Sequence, residues 1–254
     1  DRVVGEVMVP ESVKLRPEDR AEDAAQAFER YDLASAPVVD LITGRLVGRV
    51  TVNAVMDHIR EKSAETQLAE AGLSREEDVF APVWNSFKNR WAWLAVNLVT
   101  AFIASRVIGA FEGSIERLVA LAALMPIVAG IGGNSGNQTI TMIVRALALG
   151  QIQSSYWTKL IAKELGLATL NGVLWGGLLG VVTFVLYGSV ALGGVMALAM
   201  LLTLLLAAGM GVAIPLVRAR FGQDPAVGSS VLITACTDSG GFFIFLGLAT
   251  LFLL

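Results

Sequence analysis

One acidic residue, Asp238, lies deep inside an apolar stretch near the end of the chain, SSVLITACTDSGGFFIFLGLATLFLL. If this stretch is a helix that begins at Ser230, Asp238 lies about 12 Å into it, since each residue adds about 1.5 Å. A carboxylate at such depth in a bilayer is costly and is therefore expected to have a function. Thr234 and Ser230 precede it by four and eight residues, so three oxygen-bearing side chains share one helical face. This pattern predicts a pathway for a hard cation.

The alternative for Asp238 is a neutral aspartic acid that hydrogen-bonds a neighbouring helix. The apolar segments offer no lysine or arginine that is placed to pair with it, which favours the cation pathway. One carboxylate per chain is few for a divalent ion, so we expect a two-fold homodimer whose axis brings two Asp238 side chains together. Such a site suits Mg²⁺, which prefers oxygen ligands and keeps part of its water shell.

A second polar stretch interrupts another apolar segment, at residues 125–142, MPIVAGIGGNSGNQTITM. Glycine costs a helix about 1 kcal/mol relative to alanine, and amides in hydrocarbon need hydrogen-bond partners. One explanation is close packing, because small residues let helices approach each other. The crowding of glycines and amides instead favours a locally unwound or kinked helix, which often marks an ion site. We therefore expect this stretch to face the same water-filled axis as Asp238.

The charged residues divide the chain into two parts. Residues 1–90 carry 17 acidic and 12 basic side chains, whereas residues 91–254 carry 5 and 7. The first part has the charge density of a soluble domain and the second that of a membrane protein. The sequence thus predicts an α-helical membrane protein with a small N-terminal α/β domain. Five segments are long enough to cross a hydrocarbon core of about 30 Å: roughly 91–111, 117–148, 165–187, 192–217 and 230–254.

Basic residues near the ends of these segments predict the orientation in the membrane, because they favour the cytoplasmic side. Arg106 and Arg117 lie on one side. Seven others lie on the side that holds residues 1–90: Lys88, Arg90, Arg145, Lys159, Lys163, Arg218 and Arg220. We expect a multi-pass protein of the inner (plasma) membrane, with a cytoplasmic N-terminal domain and its C-terminus outside.

Other classes of function are disfavoured. The formal net charge of −3 gives no reason to expect nucleic-acid binding. A single cysteine, Cys236, and a single histidine, His58, exclude a disulfide framework and a Cys/His zinc cluster within one chain. Intramembrane hydrolysis needs nucleophiles or metal ligands that the apolar segments of one chain lack, so no enzymatic activity is expected. The chain begins at Asp1 rather than at methionine, which predicts that it is part of a longer protein.

The N-terminal residues 1–62 predict a small α/β unit, which on its own buries little apolar surface. Its predicted elements are, in chain order, a strand at 13–15, a helix at 19–32, two paired strands at 34–40 and 44–51, and a helix at 52–62.

Several stretches resemble known families. GEVMVPESVKLRPED, APVVD and GRLVGRVTV resemble one cystathionine-β-synthase (CBS) repeat. GIGGNSGNQTITMIVRALALG and GQDPAVGSSVLITACTDSGGFFIFLGLA resemble the MgtE family of magnesium channels. The resemblance covers essentially the whole chain and implies a homodimeric, five-helix, Mg²⁺-selective channel with its pore on the dimer axis. It implies three regions: a CBS-type repeat at 1–62, a connecting helix at 63–90 that helps to plug the pore from the cytoplasmic side, and a pore domain at 91–254.

The resemblance also implies roles for single residues. Asp238 matches the family's pore aspartate, which binds the hydrated ion, and Thr234 stands where the family supplies a backbone carbonyl. Ser230 replaces an asparagine of a known member, which predicts different ion contacts at the intracellular mouth. The matching pore-lining positions of the other polar stretch are Gly133, Asn137 and Thr141.

Regulation by intracellular Mg²⁺ is expected to be weak in this chain. In the family, Mg²⁺ closes the pore by neutralising acids, which Asp224, Asp57 and Glu65 match here; for Asp224 the alternative is a simple turn residue. The run TVNAVMDHIREKSAETQ departs from this pattern, because neutral or basic residues occupy positions where acids are expected: Asn53, Ala54, Arg60, Lys62 and Thr66. Since arginine and lysine remove the repulsion that a metal relieves, we predict weakened closing.

Two further expectations concern ligands and coupling. Nucleotide-binding CBS repeats commonly carry an aspartate three residues after a Thr or Ser, whereas here Ala54 follows Thr51, which argues against nucleotide binding. The alternative to a passive channel is a divalent cation transporter coupled to Na⁺ or H⁺. Coupling normally needs further intramembrane ionisable groups or a second ion site, so one intramembrane aspartate per chain disfavours it.

Overall fold

The computed structural model describes residues 13–73, 80–148 and 157–254 of the chain. The chain divides into two compact units, Asp1–Thr66 and Gln67–Leu254. Each unit has its own apolar core.

The first unit is built around one antiparallel strand pair. Its elements are helix α1 (Ala21–Tyr31), strands β1 (Ser35–Val39) and β2 (Leu46–Thr51), and the first part of helix α2 (Val52–Glu70). Ser35 lies opposite Thr51 in the pairing, which confirms the predicted pair. The predicted strand at 13–15 is reduced to a single bridge between Leu15 and Val38. The small core consists of Leu15, Phe28, Ala36 and Val55.

The described part of the second unit is helical. Its helices after α2 are α3 (Val83–Gly109), α4 (Glu112–Arg117), α5 (Ala120–Ala148), α6 (Trp157–Tyr187), α7 (Val190–Arg220) and α8 (Ser229–Leu253). The five predicted apolar segments correspond to α3, α5, α6, α7 and α8. Two of them begin earlier than predicted, since α3 starts at Val83 rather than near 91 and α6 at Trp157 rather than near 165.

Four of the described helices are long and apolar enough to cross a membrane, namely α3, α6, α7 and α8. The sequence predicted five such segments. Of the five predicted spans, the one outside this set is α5, which has 29 residues but carries the polar stretch GIGGNSGNQT. Glycine, amide and hydroxyl groups lower its hydropathy, so composition and length alone do not identify α5 as a span.

The connecting helix predicted over 63–90 is not one helix. Its first residues continue α2, which runs without interruption to Glu70, and its last residues begin α3 at Val83. Residues 74–79 lie outside the described part of the chain. The prediction of a single helix over this range is therefore wrong.

A glycine explains where α2 ends. Gly72 has a φ of +75°, a left-handed conformation that a side chain makes unfavourable. Its N–H donates to the Ala69 carbonyl at 3.0 Å, and the Leu73 N–H donates to the Leu68 carbonyl at 2.9 Å. These are the two hydrogen bonds of a Schellman motif, which closes a helix C-terminus. The chain must therefore turn after Glu70.

Helix α7 is the centre of the membrane part and packs against α5, α6 and α8. Its contact with α6 depends on a repeat of glycines at every fourth position of α6, the spacing that lets membrane helices approach closely. A Cβ at Gly176 would lie 2.7 Å from the Ala197 carbonyl oxygen, and one at Gly180 would lie 2.8 Å from that of Gly193. The backbones of α6 and α7 are therefore in direct contact.

Candidate cation site

The polar stretch lies on α5, which is helical from Ala120 to Ala148 with Pro126 inside it. The sequence predicted an unwound or kinked helix here, and the unwinding is wrong. The helix stays intact because some of its glycines make close contacts with neighbouring helices, while its polar side chains lie on other faces.

Two glycines bring α5 into contact with its neighbours. A Cβ at Gly136 would lie 2.4 Å from Ile233 Cγ1 on α8, and one at Gly132 would lie 2.7 Å from Thr203 Cγ2 on α7. Real side-chain atoms do not approach to such distances, so the helices pack this closely only because Cβ is missing. Close packing, the alternative that the sequence offered for this stretch, accounts for these two positions.

The other two glycines of the stretch are not packed in this way. A Cβ at Gly130 would meet no atom within 4 Å, and one at Gly133 would meet only Thr237 Oγ1, at 3.8 Å. Polar residues follow them along the helix at intervals of three and four, and therefore lie on the same side. This open face of α5 comprises Gly130, Gly133, Asn134, Asn137 and Thr141, which are exposed or half-buried.

Asp238 lies on α8, about 14 Å along the helix from its first residue, Ser229. Its side chain is half-buried, as are Ser230 and Thr234. Among the residues that the structure describes, none forms a hydrogen bond or an ion pair with the Asp238 carboxylate. The Thr234 hydroxyl donates to the Ser230 carbonyl at 2.9 Å, so it is already engaged within the helix. The carboxylate is thus the strongest available cation ligand on this face.

Helices α5 and α8 are antiparallel, which brings the predicted residues to neighbouring levels. A Cβ at Gly241 would lie 3.4 Å from Val128, one at Gly132 would lie 3.8 Å from Thr237, and one at Gly136 reaches Ile233. Each step of four residues along α5 is therefore a step of four back along α8. By the same steps, three predicted pairs lie within two residues, or about 3 Å, of a common level: Gly133 and Asp238, Asn137 and Thr234, and Thr141 and Ser230.

The end of α2 packs at the Thr141 end of this arrangement. Ala69 is buried with Ile140, Val144 and Ile233, residues of α5 and α8. Its carbonyl accepts a hydrogen bond of 2.9 Å from the N–H of Gly228, the residue before α8. The connecting segment is therefore bonded to the start of the helix that carries Asp238.

Glu70 is a candidate functional residue that the sequence reasoning missed. It is half-buried, and its carboxylate lies near enough to the Thr141 side chain to be stabilised by it. Burial raises the pKa of Glu70, and the Thr141 side chain opposes that shift. Glycine at position 72 could have indicated a helix end directly after Glu70. The prediction of one continuous helix over 63–90 left no such end, so Glu70 was not singled out.

Trp93 of α3 holds the same junction together. A Cβ at Gly228 would lie 2.1 Å from its ring, and one at Gly72 would lie 2.9 Å from it. Both glycines also have positive φ, +62° and +75°. The indole therefore fits between the end of α2 and the start of α8 only because both positions lack a side chain.

The three predicted regulatory acids are placed as follows. The Asp224 carboxylate accepts a hydrogen bond of 2.9 Å from the Ala226 N–H, and its backbone carbonyl accepts one of 3.1 Å from Arg218 Nε. Asp57 is exposed and lies 3.9 Å from Arg60 Nη1. Glu65 is half-buried. Asp57 and Glu65 belong to the first unit and Asp224 to the second, so the three are not grouped within one unit.

A pH-dependent stability is expected from Glu70. Its pKa is raised by burial, so the folded state favours the protonated form, and this contribution is present at low pH and lost as the pH rises through the raised pKa. Glu70→Gln should therefore raise the melting temperature at pH 8, with the difference disappearing as the pH falls toward about 4. Thermal unfolding of the detergent-solubilised protein across pH measures this. Glu61→Gln, at an exposed position of α2, is the matched control; an equal effect of both substitutions would contradict the assignment.

Comparison with known proteins finds two family models and several related sequences. Residues 125–248 match the family model of MgtE, described as a divalent cation transporter, and residues 4–61 match the CBS domain. The chain is 33% identical to a Thermus thermophilus protein named magnesium transporter MgtE, over 98% of this chain and 56% of that protein. It is 30% identical to a Bacillus subtilis protein of the same name, over 91% of this chain and 51% of that protein.

A third curated relative is the magnesium transporter MgtE of Enterococcus faecalis, 28% identical over 100% of this chain and 55% of that protein. The chain thus spans about half the length of the curated relatives that it matches. The family models fall on the two regions in which the sequence showed a resemblance, the CBS-type repeat and the polar membrane segments. A match to the CBS domain therefore precedes a match to the MgtE family model in this chain.

Proposed function

We propose that this protein conducts Mg²⁺ passively across the membrane, through a pore on a homodimer axis in which Asp238 holds the hydrated ion. The observation that carries the proposal is the Asp238 carboxylate, which has no partner among the described residues and lies within about 3 Å, along the helix axis, of the level of Gly133 on the open face of α5. The names of the relatives, magnesium transporters, support the choice of ion.

The polar groups of α5 and α8 follow one another along the two helices, an arrangement that suits an ion that keeps its water shell. Mg²⁺ gives up its waters reluctantly, so carboxylate, amide and hydroxyl oxygens bind it best through its hydration shell. Gly133 leaves room for that shell opposite Asp238, while Asn137 and Thr141 offer oxygens along the way. Several weak positions in a row allow the ion to enter and to leave again, as conduction requires.

A second copy of the chain accounts for the open face of α5. Polar groups that face lipid are costly, and they are tolerated where they line a water-filled cavity or contact protein. A two-fold axis beside this face would place two Asp238 carboxylates around one ion and enclose the amides in a common pore.

This proposal requires α5 to cross the membrane as a fifth span, despite its low hydropathy. Its 29 residues extend about 43 Å, which exceeds the hydrocarbon thickness of about 30 Å. With five crossings and the basic residues on the side of residues 1–90, the N-terminal domain is cytoplasmic and the C-terminus is outside.

Mg²⁺ flux into proteoliposomes with no other ion gradient tests the proposal. The native protein should conduct Mg²⁺, and Asp238→Asn should reduce the flux to the background of protein-free vesicles, because the amide cannot hold the cation electrostatically. Glu116→Gln, the same change at an exposed position of α4, should leave the flux unchanged.

Two results would contradict this function. If Asp238→Asn conducted like the native protein, Asp238 would not be the ion site. If the native protein carried Mg²⁺ only when a Na⁺ or H⁺ gradient was added, a coupled transporter would replace the channel.

We further propose that intracellular Mg²⁺ closes this pore weakly. Lys62 forms an ion pair with Glu22, and Arg60 lies 3.9 Å from Asp57, so basic side chains already neutralise acids in the first unit. Metal binding then has less repulsion to relieve.

Flux through the native protein should therefore persist at millimolar Mg²⁺ on the side of the N-terminal domain, and the double substitution Arg60→Asp/Lys62→Asp should introduce closing by Mg²⁺. Flux against Mg²⁺ concentration on that side measures the effect, with Lys14→Asp, an exposed residue of the same unit, as control. Sharp closing of the native protein at low millimolar Mg²⁺ would show that the neutral and basic residues do not weaken the gate.

A further inference from the structure

A polar cavity lies between α5 and α6, on a different side of α5 from Asp238. It has a volume of about 200 Å³, and Ala208 of α7 contributes to its wall. Apart from Met142, Leu167 and Ala168, its lining from α5 and α6 is polar: Ser135, Gln138, Thr139, Lys163, Glu164 and Asn171. The open face of α5 already explains Asn137 and Thr141, but it does not explain these residues.

Glu164 is the buried charge of this cavity, with 6% of its surface exposed. Lys163 Nζ lies 3.3 Å from one carboxylate oxygen, and the Thr139 hydroxyl donates to the other at 3.4 Å. Both distances exceed the usual length of about 2.7–2.9 Å for strong bonds to a carboxylate. An ionised carboxylate accepts about four hydrogen bonds, so these contacts, within the described part of the chain, use only part of its capacity.

Glu164 lies inside α6 rather than at its start. Because α6 begins at Trp157, Glu164 lies about 10 Å along the helix and Asn171 about 21 Å along it. An ionisable group within a membrane helix is costly and marks a functional site by default. The cavity therefore extends from the Lys163 end toward the middle of α6.

We propose that this cavity is a second cation site, separate from the α5–α8 pore. A hydrated cation enters at the Lys163 end and replaces the ammonium group at the Glu164 carboxylate. Lys163 can release it without strain, because its side chain is 64% exposed and can turn to solvent. The volume holds about six waters at about 30 Å³ each, which is enough for a cation with most of its shell. The other oxygen ligands are those of Ser135 and Thr139, while Gln138 and Asn171 line the wall.

Thiol modification in lipid nanodiscs tests the site with a local readout. The starting protein carries Cys236→Ser, which removes the single cysteine, and Asn171→Cys, which places a thiol in the cavity. The cationic reagent 2-aminoethyl methanethiosulfonate should react faster than its anionic 2-sulfonatoethyl analogue by about tenfold or more, because a buried carboxylate concentrates cations. Millimolar Mn²⁺ should slow the cationic reagent by a similar factor.

Three further variants separate a cation site at Glu164 from an effect of the pore and from lipid-facing reactivity. Glu164→Gln should bring the ratio of the two rates toward one and abolish the Mn²⁺ effect, whereas Lys163→Gln should increase the ratio. Adding Asp238→Asn should leave the Mn²⁺ effect unchanged, because the proposed pore site is distinct. As a control, Val173→Cys, on the outer side of α6 and 65% exposed in the chain, should be shielded by lipid and remain unreactive.

Each contrary result overturns the inference. If neither reagent reaches Asn171→Cys or Gln138→Cys, lipid or a second copy fills the cavity. If both reagents react at equal rates and Mn²⁺ has no effect, the cavity holds water but no cation. If Asp238→Asn removes the Mn²⁺ effect, the ion acts from the pore. Gln138→Cys gives the same readout from α5, so a folding defect of one cysteine variant does not decide the test.

Discussion

Gly228→Ala is expected to lower the apparent melting temperature of the detergent-solubilised protein by on the order of 10 °C. The residue has a φ of +62°, where alanine costs about 1–2 kcal/mol. Its Cβ would also lie 2.1 Å from the Trp93 ring, an overlap of a kind that costs about 1–3 kcal/mol. Trp93 cannot simply move away, because its other contact is Gly72 at the end of α2. At about 2–4 °C per kcal/mol, the combined cost gives a shift of this size.

Two comparisons separate the backbone effect from the steric one. Gly222 has a similar φ of +70°, but a Cβ there would meet no atom within 4 Å. Gly222→Ala should therefore show only the backbone cost, about half of the effect or less. Adding Trp93→Ala to Gly228→Ala should cost less than the sum of the two single changes, because the overlap disappears. Equal effects of Gly222→Ala and Gly228→Ala would mean that Trp93 does not hold the junction.

The order of elements could be predicted from the sequence because it depends on local pattern. Apolar length identified the five long helices, and the two short stretches 34–40 and 44–51 were identified as a strand pair, which the structure confirms. Helix ends were less predictable. Trp157 precedes Lys159 and Lys163, so charge suggested that the span begins later, although long basic side chains can extend toward the membrane surface from within a helix.

The roles of the glycines in α5 could not be predicted from composition. Gly130, Gly132, Gly133 and Gly136 are equivalent in the sequence, and together they suggested an unwound helix. Their environments differ because α7 and α8 pack on only one side of α5. The sequence pattern does not show which side a neighbouring helix covers, so packing glycines and pathway glycines could be separated only by the fold.

The two acids that the sequence reasoning passed over illustrate the same limit. Glu70 gains its interest from Thr141, a residue 71 positions later in the chain. Glu164 gains its interest from Thr139 across the α5–α6 cavity. Asp238 could be found because its own neighbours are apolar, whereas Glu70 and Glu164 lie close to charged residues in the sequence and look ordinary there.

Gly136→Ala is expected to disrupt the membrane part more than any neighbouring alanine substitution on α5. Its Cβ would lie 2.4 Å from Ile233 Cγ1, and Ile233 is fully buried, so α5 and α8 must separate. Overpacking of this kind costs about 1–3 kcal/mol. At Gly130, where no atom lies within 4 Å, alanine should instead be neutral or stabilise the helix by up to about 1 kcal/mol. Melting temperatures of the two variants in detergent measure the contrast.

Rescue on the opposite helix identifies the cause. Ile233→Ala alone should destabilise the protein by about 2–5 kcal/mol, because it removes a buried side chain. Combined with Gly136→Ala it should cost less than the sum, since the new methyl group occupies part of the space that Ile233 leaves. Mg²⁺ flux should recover together with stability, because the contact between Gly136 and Ile233 sets the relative positions of Asn137 and Thr234 along the two helices. If Gly130→Ala and Gly136→Ala behaved alike, the packed and open faces of α5 would be wrongly assigned, and with them the side of α5 that the proposed pore occupies.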